Sequence, residues 1–415
     1  MTYRVPYAIG SKFVAYRRVI INQKLHTMKI FYSLALLFLS MACYAQENPY
    51  WFMEDTKKKV ADTTQSESWR SQMGATYYSI SGQYKPALES WDQAFGRVKK
   101  LSAADSLKFT KLIPVNAKEY IIKKAANEKI IIINEAHHNA SHRTFASSLL
   151  QGLYDKGYRY LGIETLEGDS LNTVKFATLN SGYYSKEPEF GNFIYNALKI
   201  GFKLFPYEAE GNNKEREIGE AKNIFDFMQK NQKGKYLIYC GYQHAYEGVH
   251  KSWEKTMAGR LSDLTGINPL TIDQTQFSEK SSPKYNEPLL RLVSHTVPVV
   301  LKDENQLIYN GEDKELYTDI KIIHPVTQYI NGRPDWMLKE NRKFYKIPDS
   351  KISAYPVLVL AYRKGELEKE GIPADIIELN TSKDSRFLVL DKGNYDIVIK
   401  DKEYKLIHKF EKTIK

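Results

Sequence analysis

The chain has 415 residues, of which 42% are hydrophobic and 26% charged, and its formal net charge is +11. This length can form two or three domains with substantial cores, and the composition excludes wholesale disorder. Lysines are scattered among acidic residues without an arginine-rich stripe, so the positive charge does not indicate nucleic-acid binding.

Residues 28–45 have the pattern of a secretory signal sequence. Lys29 precedes an apolar run that is too short for a stable membrane span, and residues 43–45 have small side chains at their first and third positions. Residues 1–27 are then an upstream extension outside the mature protein. Removal of the six basic residues before this cleavage point lowers the net charge from +11 to +5. We therefore predict an exported protein of the bacterial periplasm or cell envelope.

The sequence contains two cysteines, Cys43 and Cys240. Cleavage after Ala45 leaves one of them, which excludes an intrachain disulfide. Cys43 is also a candidate for a lipidated N-terminus of an outer-membrane lipoprotein, and we expect membrane association only in that case. Cys240 lies in a predicted buried strand and is expected to be a core residue.

Residues 46–112 are predicted to contain a linker followed by a helical region. Part of this region follows the small and aromatic spacing of one tetratricopeptide-like (TPR-like) helix pair, without a second copy. The residues that carry the spacing are Gly82, Tyr84, Ala87, Trp91 and Ala94. A peptide-binding repeat and a helical hairpin packed on its neighbour both remain open.

Residues 113–283 alternate short apolar runs with helical patterns, which predicts an α/β domain with a mostly parallel open sheet and flanking helices. Five strands are predicted, at 129–134, 158–164, 202–208, 235–242 and 268–274. Residues 284–415 change to strand-like runs and are predicted to form a β-rich C-terminal domain.

Polar side chains stand at the carboxyl ends of the predicted strands. They are Glu135, His137 and His138 after the first strand, Glu164 and Glu208 at the ends of the second and third, and His244 after the fourth. Because ligands of open α/β sheets bind at this edge, we expect these groups to share one crevice. His138 and His142 are four residues apart and are predicted to lie on the inward face of the following helix.

Three short motifs occur in the central region in a fixed order. They are Asn134-Glu135-Ala136-His137 with His142, then Arg216, Ala221 and Asn223, and then Gly241-Tyr242-Gln243-His244. In this order they resemble motifs of the superfamily of ChaN-like haem-binding proteins, Tiki-type metalloproteases and erythromycin-esterase-like hydrolases. The ChaN and Tiki spacing of the first motif selects His137, and the esterase spacing selects His138. Ser147 stands near the position of a further esterase arginine.

The resemblance implies an exported hydrolase that acts on an ester, lactone or peptide bond of a small-molecule or peptide substrate. Water would be activated by a first-motif histidine with Glu135 or Glu164, directly or through a divalent metal ion. His244 would orient or protonate the substrate, and Arg216 would stabilise negative charge. The candidate catalytic residues are Glu135, His138, His142, Glu164, Arg216 and His244, and the candidate metal ligands are Glu135, His137 and His244.

Two other functions remain open. One is a ChaN-like haem or iron carrier without turnover, in which His137, Tyr242 or His244 approaches the metal. The other is an envelope interaction protein with a degenerate site. For Arg216, an exposed ion pair with Glu220 on a solvated helix face is the alternative to a role in the site.

Overall fold

A computed structural model describes residues 48–415, except Asp169, Glu312, Glu340 and the side chains of Ala104 and Asp105. The predicted upstream extension, the predicted signal sequence and Cys43 lie outside the described residues. Within the described part, no helix has both the length and the apolar character needed to cross a membrane.

The described chain begins with a helical segment. Its helices are α1 (Met53–Val60), α2 (Glu67–Ile80), α3 (Tyr84–Phe95) and α4 (Ala103–Phe109). The Ser66 side chain accepts a hydrogen bond from Trp69 N and so caps α2. Helices α2 and α3 pack on each other, with the hydroxyl of Ser90 bonded to the carbonyl of Ser71 at 3.0 Å. The helical pair that the sequence predicts is therefore present.

The predicted linker is partly packed. Tyr50 and Phe52 are buried against the C-terminal strands, and the backbone N–H of Met53 donates to Glu378 Oε2 at 2.7 Å. Burial of these two aromatic rings is favourable, and it stabilises the position of α1, which begins directly after Phe52.

The central layer contains strands and helices in alternation. In chain order these are β1 (Ile113–Asn116), α5 (Ala117–Ala125), β2 (Ile130–Glu135), α6 (Ser141–Asp155), β3 (Tyr158–Ile163), α7 (Leu171–Val174), α8 (Pro188–Ile200), β4 (Lys203–Pro206), α9 (Asn213–Lys230), β5 (Lys235–Gly241), β6 (Glu247–Gly248), α10 (Met257–Thr265), β7 (Leu270–Asp273), β8 (Val299–Lys302), β9 (Leu316–Tyr317) and β10 (Ile320–Lys321).

Six of these strands form a parallel sheet in the order β10-β7-β2-β5-β3-β4. All five predicted strands belong to it, which confirms the α/β prediction. The sixth strand, β10, comes from beyond residue 284, and β1 pairs with β8 in a separate antiparallel ladder. The register places Glu135 beside Gly241, so the ends of β2 and β5 meet at one edge.

Helices cover both faces of the sheet because the central strands bury alternate side chains on each side. Ile131 and Ile133 pack with α5, α6 and α8, whereas Ile130 and Ile132 pack with α9 and α10. All six residues of β2 are buried, as expected for a parallel strand covered on two faces.

The C-terminal region is rich in antiparallel strands, as predicted. They are β11 (Tyr329–Ile330), β12 (Arg333–Pro334), β13 (Lys343–Lys346), β14 (Val357–Arg363), β15 (Asp375–Leu379), β16 (Phe387–Leu390), β17 (Gly393–Lys400) and β18 (Leu406–Ile414). Four of them form a sheet in the order β15-β14-β17-β18, and β13 pairs with β16. One face of the four-stranded sheet packs against Phe52 and Ile80 of the helical segment.

Candidate active site

Glu135, the last residue of β2, is held by a buried arginine. Arg143 donates to both carboxylate oxygens, Nε to Oε2 at 2.7 Å and Nη2 to Oε1 at 2.6 Å, and Tyr239 OH donates to Oε2 at 2.7 Å. Burial by itself would raise the pKa of Glu135. The charge of Arg143 and the His137 hydrogen bond outweigh burial and hold this pKa below its ordinary value.

Arg143 also binds a second buried carboxylate. Its Nη1 donates to Glu187 Oε2 at 2.8 Å, and Glu187 also accepts hydrogen bonds from the backbone N–H of Phe190, in the first turn of α8, and from Tyr84 OH. Burial raises the pKa of Glu187, and the charge of Arg143 opposes that rise. The sequence did not reveal either residue, although Arg143 lies on α6 one turn before Ser147, the position at which the resemblance places an arginine.

His137 lies between the ends of β2 and β5. Its Nδ1 is 2.9 Å from Glu135 Oε1, and its ring stacks on Tyr184 with 3.7 Å between centroids. Gly241 leaves space for this ring, because a Cβ at that position would collide with Cε1 and Nε2 of His137. The same Cβ would be 3.1 Å from Glu164 Oε2. His137 and the Glu164 carboxylate therefore lie on the same side of Gly241.

His138 has a different environment from its neighbour His137. Its Nδ1 is 3.2 Å from Tyr242 OH, and its ring stacks on Trp91 of α3 with 4.3 Å between centroids. Burial lowers the pKa of His138 well below its ordinary value. The sequence left open whether His137 or His138 belongs to the site. The structure places His137 against Glu135, whereas His138 lies under the helical pair α2 and α3.

Glu164 follows β3 and is buried next to His137 and His244. Its Oε1 accepts from Arg216 Nη2 at 2.7 Å and lies 3.7 Å from His244 Nε2, and its Oε2 accepts from the backbone N–H of Gly241. Burial favours the neutral acid, but the charges of His244, His137 and Arg216 prevail and lower the pKa of Glu164.

Arg216, near the start of α9, joins three carboxylates. Its Nε is 2.6 Å from Glu208 Oε1 and 3.1 Å from Glu220 Oε1, in addition to its bond to Glu164. An exposed ion pair with Glu220 is therefore wrong, because this face of α9 packs on the strand ends and Glu220 is fully buried. The side chains of Arg216 and Glu208 are 26% and 31% exposed, so solvent reaches the site on their side.

His244 lies in the 3₁₀ turn that follows β5, against two glutamates of α9. Its Nδ1 is 2.6 Å from Glu217 Oε1 and 3.5 Å from Glu220 Oε2. Burial and the Arg216 guanidinium, 3.1 Å from Nε2, oppose protonation of the ring. The carboxylates of Glu164, Glu217 and Glu220 outweigh both effects and raise the pKa of His244 to about 9. No motif in the sequence indicates Glu217, which only shares the helix α9 with Arg216.

His142 does not join the other candidate residues. Its Nδ1 accepts the backbone N–H of Ala136 at 3.0 Å, and its ring lies beside His324 with 5.1 Å between centroids. The predicted alignment of His138 with His142 on one helix face is wrong, because α6 begins at Ser141 and His138 precedes it in a turn. His142 therefore organises the loop between β2 and α6.

Asn134, which stands where the resembling families have glycine, ties together three strand ends. Its Nδ2 donates to Asp273 Oδ1 at 2.8 Å and to the carbonyl of Tyr242 at 2.6 Å, and its Oδ1 accepts from the backbone N–H of Gln274. Tyr242 has a positive φ of 39°, a strained conformation for a tyrosine. We infer that Asn134 helps to hold this turn and the His244 that follows it.

Among the described residues, the candidate metal ligands Glu135, His137 and His244 do not bring three ligand atoms within 4.8 Å of one another, although His137 contacts Glu135. Glu135 already accepts two hydrogen bonds from Arg143 and one from Tyr239. A metal ion at Glu135 would have to displace a buried guanidinium, so this predicted ligand set does not fit a metal.

Two other groups in the described part of the chain bring three possible ligand atoms within 4.8 Å of one another. They are Glu217, Glu220 and His244, and Glu164, Glu208 and Glu220. Arg216 contacts all three carboxylates of the second group, and Glu217 of the first accepts from the backbone N–H of Met257 as well as facing the His244 ring. Arg216 thus supplies a positive charge to the second group, and in the first group the His244 ring faces the carboxylates of Glu217 and Glu220.

The candidate haem ligands do not fit a haem either. The ring of His137 is covered by Tyr184, and Trp91 stacks on Tyr242 with 5.4 Å between centroids. His244 stacks on Trp253 at 5.5 Å. Because neighbouring aromatic rings cover these side chains, a haem would have to displace them.

We predict that Glu220→Gln weakens the pH dependence of stability above neutrality. Burial raises the pKa of Glu220 to about 9, and His244 also has a raised pKa, so the folded state keeps protons that the unfolded state releases. The wild-type free energy of unfolding should therefore fall as pH rises from about 6.5 to about 9, by roughly 1.4 kcal/mol per pH unit for each retained proton. Glu220→Gln removes one of these two titrating groups, so the slope in urea unfolding measured across this range should become smaller.

Asp226→Asn is the control for this measurement. Asp226 lies on the outer side of α9, where it pairs with Lys222. This variant should keep the wild-type slope. A Glu220→Gln variant with the wild-type slope would contradict the protonation assigned to the pair of Glu220 and His244.

Comparisons with known proteins give no assignment. No family model and no curated protein matches the chain. Among solved structures, the type III effector HopBA1 has 11% sequence identity and a TM-score of 0.34, over 52% of this chain and 97% of that chain. RRSP, a MARTX toxin effector domain from Vibrio vulnificus, has 12% identity and a TM-score of 0.28, over 59% of this chain and 47% of that chain. These likenesses are too weak to indicate a function.

Proposed function

We propose that the chain is an exported hydrolase that activates water with histidine and glutamate and without a metal ion. The supporting observation is the pairing of two histidines with buried carboxylates on either side of Glu164. His137 Nδ1 forms a hydrogen bond with Glu135, and His244 Nδ1 forms an ion pair with Glu217. In each pair the carboxylate orients the ring through Nδ1, which leaves Nε2 of His137 for proton transfer. Nε2 of His244 faces Arg216 Nη1 at 3.1 Å, and it donates its proton once Arg216 turns to the substrate oxygen.

The two histidines have different roles in this proposal. His137 takes a proton from water on Nε2, and the water oxygen attacks the carbonyl carbon of an ester, lactone or peptide bond. Arg216, with a partly exposed guanidinium, stabilises the negative charge that develops on the carbonyl oxygen. His244, whose pKa is raised to about 9, donates a proton to the leaving group as the bond breaks.

Glu164 lies between the two histidines and stabilises their positive charges during both proton transfers. The helical pair α2 and α3 acts as a cover, because Trp91 of α3 packs on His138. This role differs from peptide binding by a tetratricopeptide-like repeat. The resemblance to the ChaN, Tiki and erythromycin-esterase superfamily agrees with the proposal, and the position of His137 favours the ChaN and Tiki spacing of the first motif.

The proposal is tested with a panel of esters, lactones and peptides in water enriched in oxygen-18. We expect one labelled oxygen in the acid product and turnover that survives a chelator. His137→Gln should lower kcat by about 10³-fold without loss of folded structure, because a general base contributes about 10²–10⁴-fold. His408→Gln, on the C-terminal sheet, is the control and should keep wild-type turnover.

Three outcomes would contradict the proposal. Turnover that stops on chelation and returns with a divalent metal ion would replace the metal-free mechanism. A loss of turnover in His138→Gln but not in His137→Gln would show that the wrong histidine was chosen. Absence of hydrolysis across the panel, together with a Soret band on addition of haemin, would favour the carrier.

A further inference from the structure

A cavity of about 370 Å³ lies between the end of α3 and the loop that follows β7. Its aromatic wall contains Trp91, Phe95, Tyr246 and Tyr285, and Lys280 lines the same space. Trp91 separates this cavity from the active site, because its ring also stacks on His138. The cavity falls in the size range of small-molecule sites.

A hydrogen bond and an ion pair connect the two walls of this cavity. The backbone N–H of Ser281 donates to Asp92 Oδ2 at 2.6 Å, and Lys99 forms an ion pair with Glu287. The backbone N–H of Lys280 donates to Asn286 Oδ1 at 2.8 Å and fixes the turn of the loop. The shape of the cavity is therefore set by contacts of the protein with itself.

Of the acidic groups that line the cavity, Asp92 accepts the Ser281 N–H and Glu287 pairs with Lys99, and neither carboxylate contacts the ammonium of Lys280. In the part of the chain that the structure describes, its only hydrogen-bonding contact is Ser278 Oγ, at 3.5 Å, and no carboxylate lies within 4.0 Å. Burial lowers the pKa of Lys280, and the charges of Asp92 and Glu287 act on it only from beyond contact distance. An ammonium in this position gains a partner when an anion enters.

The cations on the rim of the cavity are already engaged. Lys99 pairs with Glu287, and Arg97 donates to the carbonyls of Ala94 and Gly96. One unpaired positive charge suits a monoanion better than a phosphate, which carries more charge and favours several donors. The surrounding rings suit a flat apolar body.

We propose that this cavity binds a small aromatic carboxylate, with the carboxylate on the ammonium of Lys280 and the ring packed between Trp91, Phe95 and Tyr285. The site does not depend on the proposed hydrolysis, because it shares only the wall formed by Trp91 with the active site. Its test is therefore direct binding to the purified chain.

Ligand-observed saturation-transfer NMR with benzoate measures this binding, with benzyl alcohol and inorganic phosphate as comparison probes. We expect benzoate to bind the wild-type chain and benzyl alcohol to bind more weakly. Lys280→Met should lower the benzoate affinity by about tenfold or more, because it removes a charge-assisted contact. Lys280→Arg should retain most of the affinity.

Lys100→Met is the matched control, because Lys100 is exposed in the segment that follows α3 and does not line the cavity. It should bind benzoate as the wild type does. Equal benzoate affinity in the wild type and in Lys280→Met, or no benzoate binding to the wild type, would overturn the proposal. Phosphate binding that depends on Lys280, without benzoate binding, would overturn the aromatic carboxylate assignment.

Discussion

Arg143→Met is expected to lower the free energy of unfolding by about 3–5 kcal/mol, the cost of removing one partner from a buried ion pair. The guanidinium is fully buried and joins Glu135 to Glu187, whose side chains are each 1% exposed. Methionine fills much of the same volume but leaves two carboxylates without a counter-charge. Urea unfolding at neutral pH measures the loss.

The pH dependence of this loss of stability tests whether it comes from the two buried carboxylates. In the wild type, Glu135 has a lowered pKa, so its contribution to stability is present above the unfolded pKa of about 4.5 and is lost as pH falls through the folded value. In Arg143→Met the unpaired carboxylates take up protons more readily. The difference between variant and wild type should therefore shrink as pH is lowered.

Arg159→Met is the control for Arg143→Met. Arg159 is exposed at the start of β3, where it donates to the carbonyls of Tyr154 and Tyr158. Its replacement should cost less than about 1 kcal/mol. Equal costs for the two variants, or a cost of Arg143→Met that does not change with pH, would contradict a buried ion-pair network.

The sequence predicted the parallel strands because each is a short, continuous apolar run that the sheet buries on both faces. It did not predict β10 as a member of this sheet. That strand has two residues, Ile320 and Lys321, and its pairing with β7 is set by chain packing rather than by a local pattern. The packed start of the predicted linker was missed for a similar reason, since Tyr50 and Phe52 find their partners on distant strands.

The strand-end rule brought Glu135, Glu164 and His244 together correctly, because it depends on topology alone. The residues that set the ionisation of these three side chains could not be inferred from the sequence. Arg143 and Glu217 lie on helices, where a charged residue is usually solvated, and only the folded chain shows that they point inward. The placement of His142 failed because a helical spacing was applied to His138, which lies before the helix begins.

Gly241→Ala is expected to lower kcat/KM for the hydrolysis by about 10²-fold, because misplacement of a catalytic group by about 1 Å has an effect of this size. The backbone of Gly241 has φ −89° and ψ 151°, which alanine adopts without strain. The effect therefore comes from the added Cβ, which would collide with the His137 ring and lie 3.1 Å from Glu164 Oε2. Overpacking of this buried position should cost about 1–3 kcal/mol of stability.

Gly259→Ala provides the comparison, because a Cβ in that helix would meet its nearest neighbour at 3.8 Å. It should leave kcat/KM unchanged. Displacement of His137 in Gly241→Ala would also appear as a shift of its ring Cε1–H resonance, since the ring would leave its stack on Tyr184. If that resonance moves while kcat/KM stays at the wild-type value, His137 is not the base. If neither changes, the ring does not rest on Gly241 in solution.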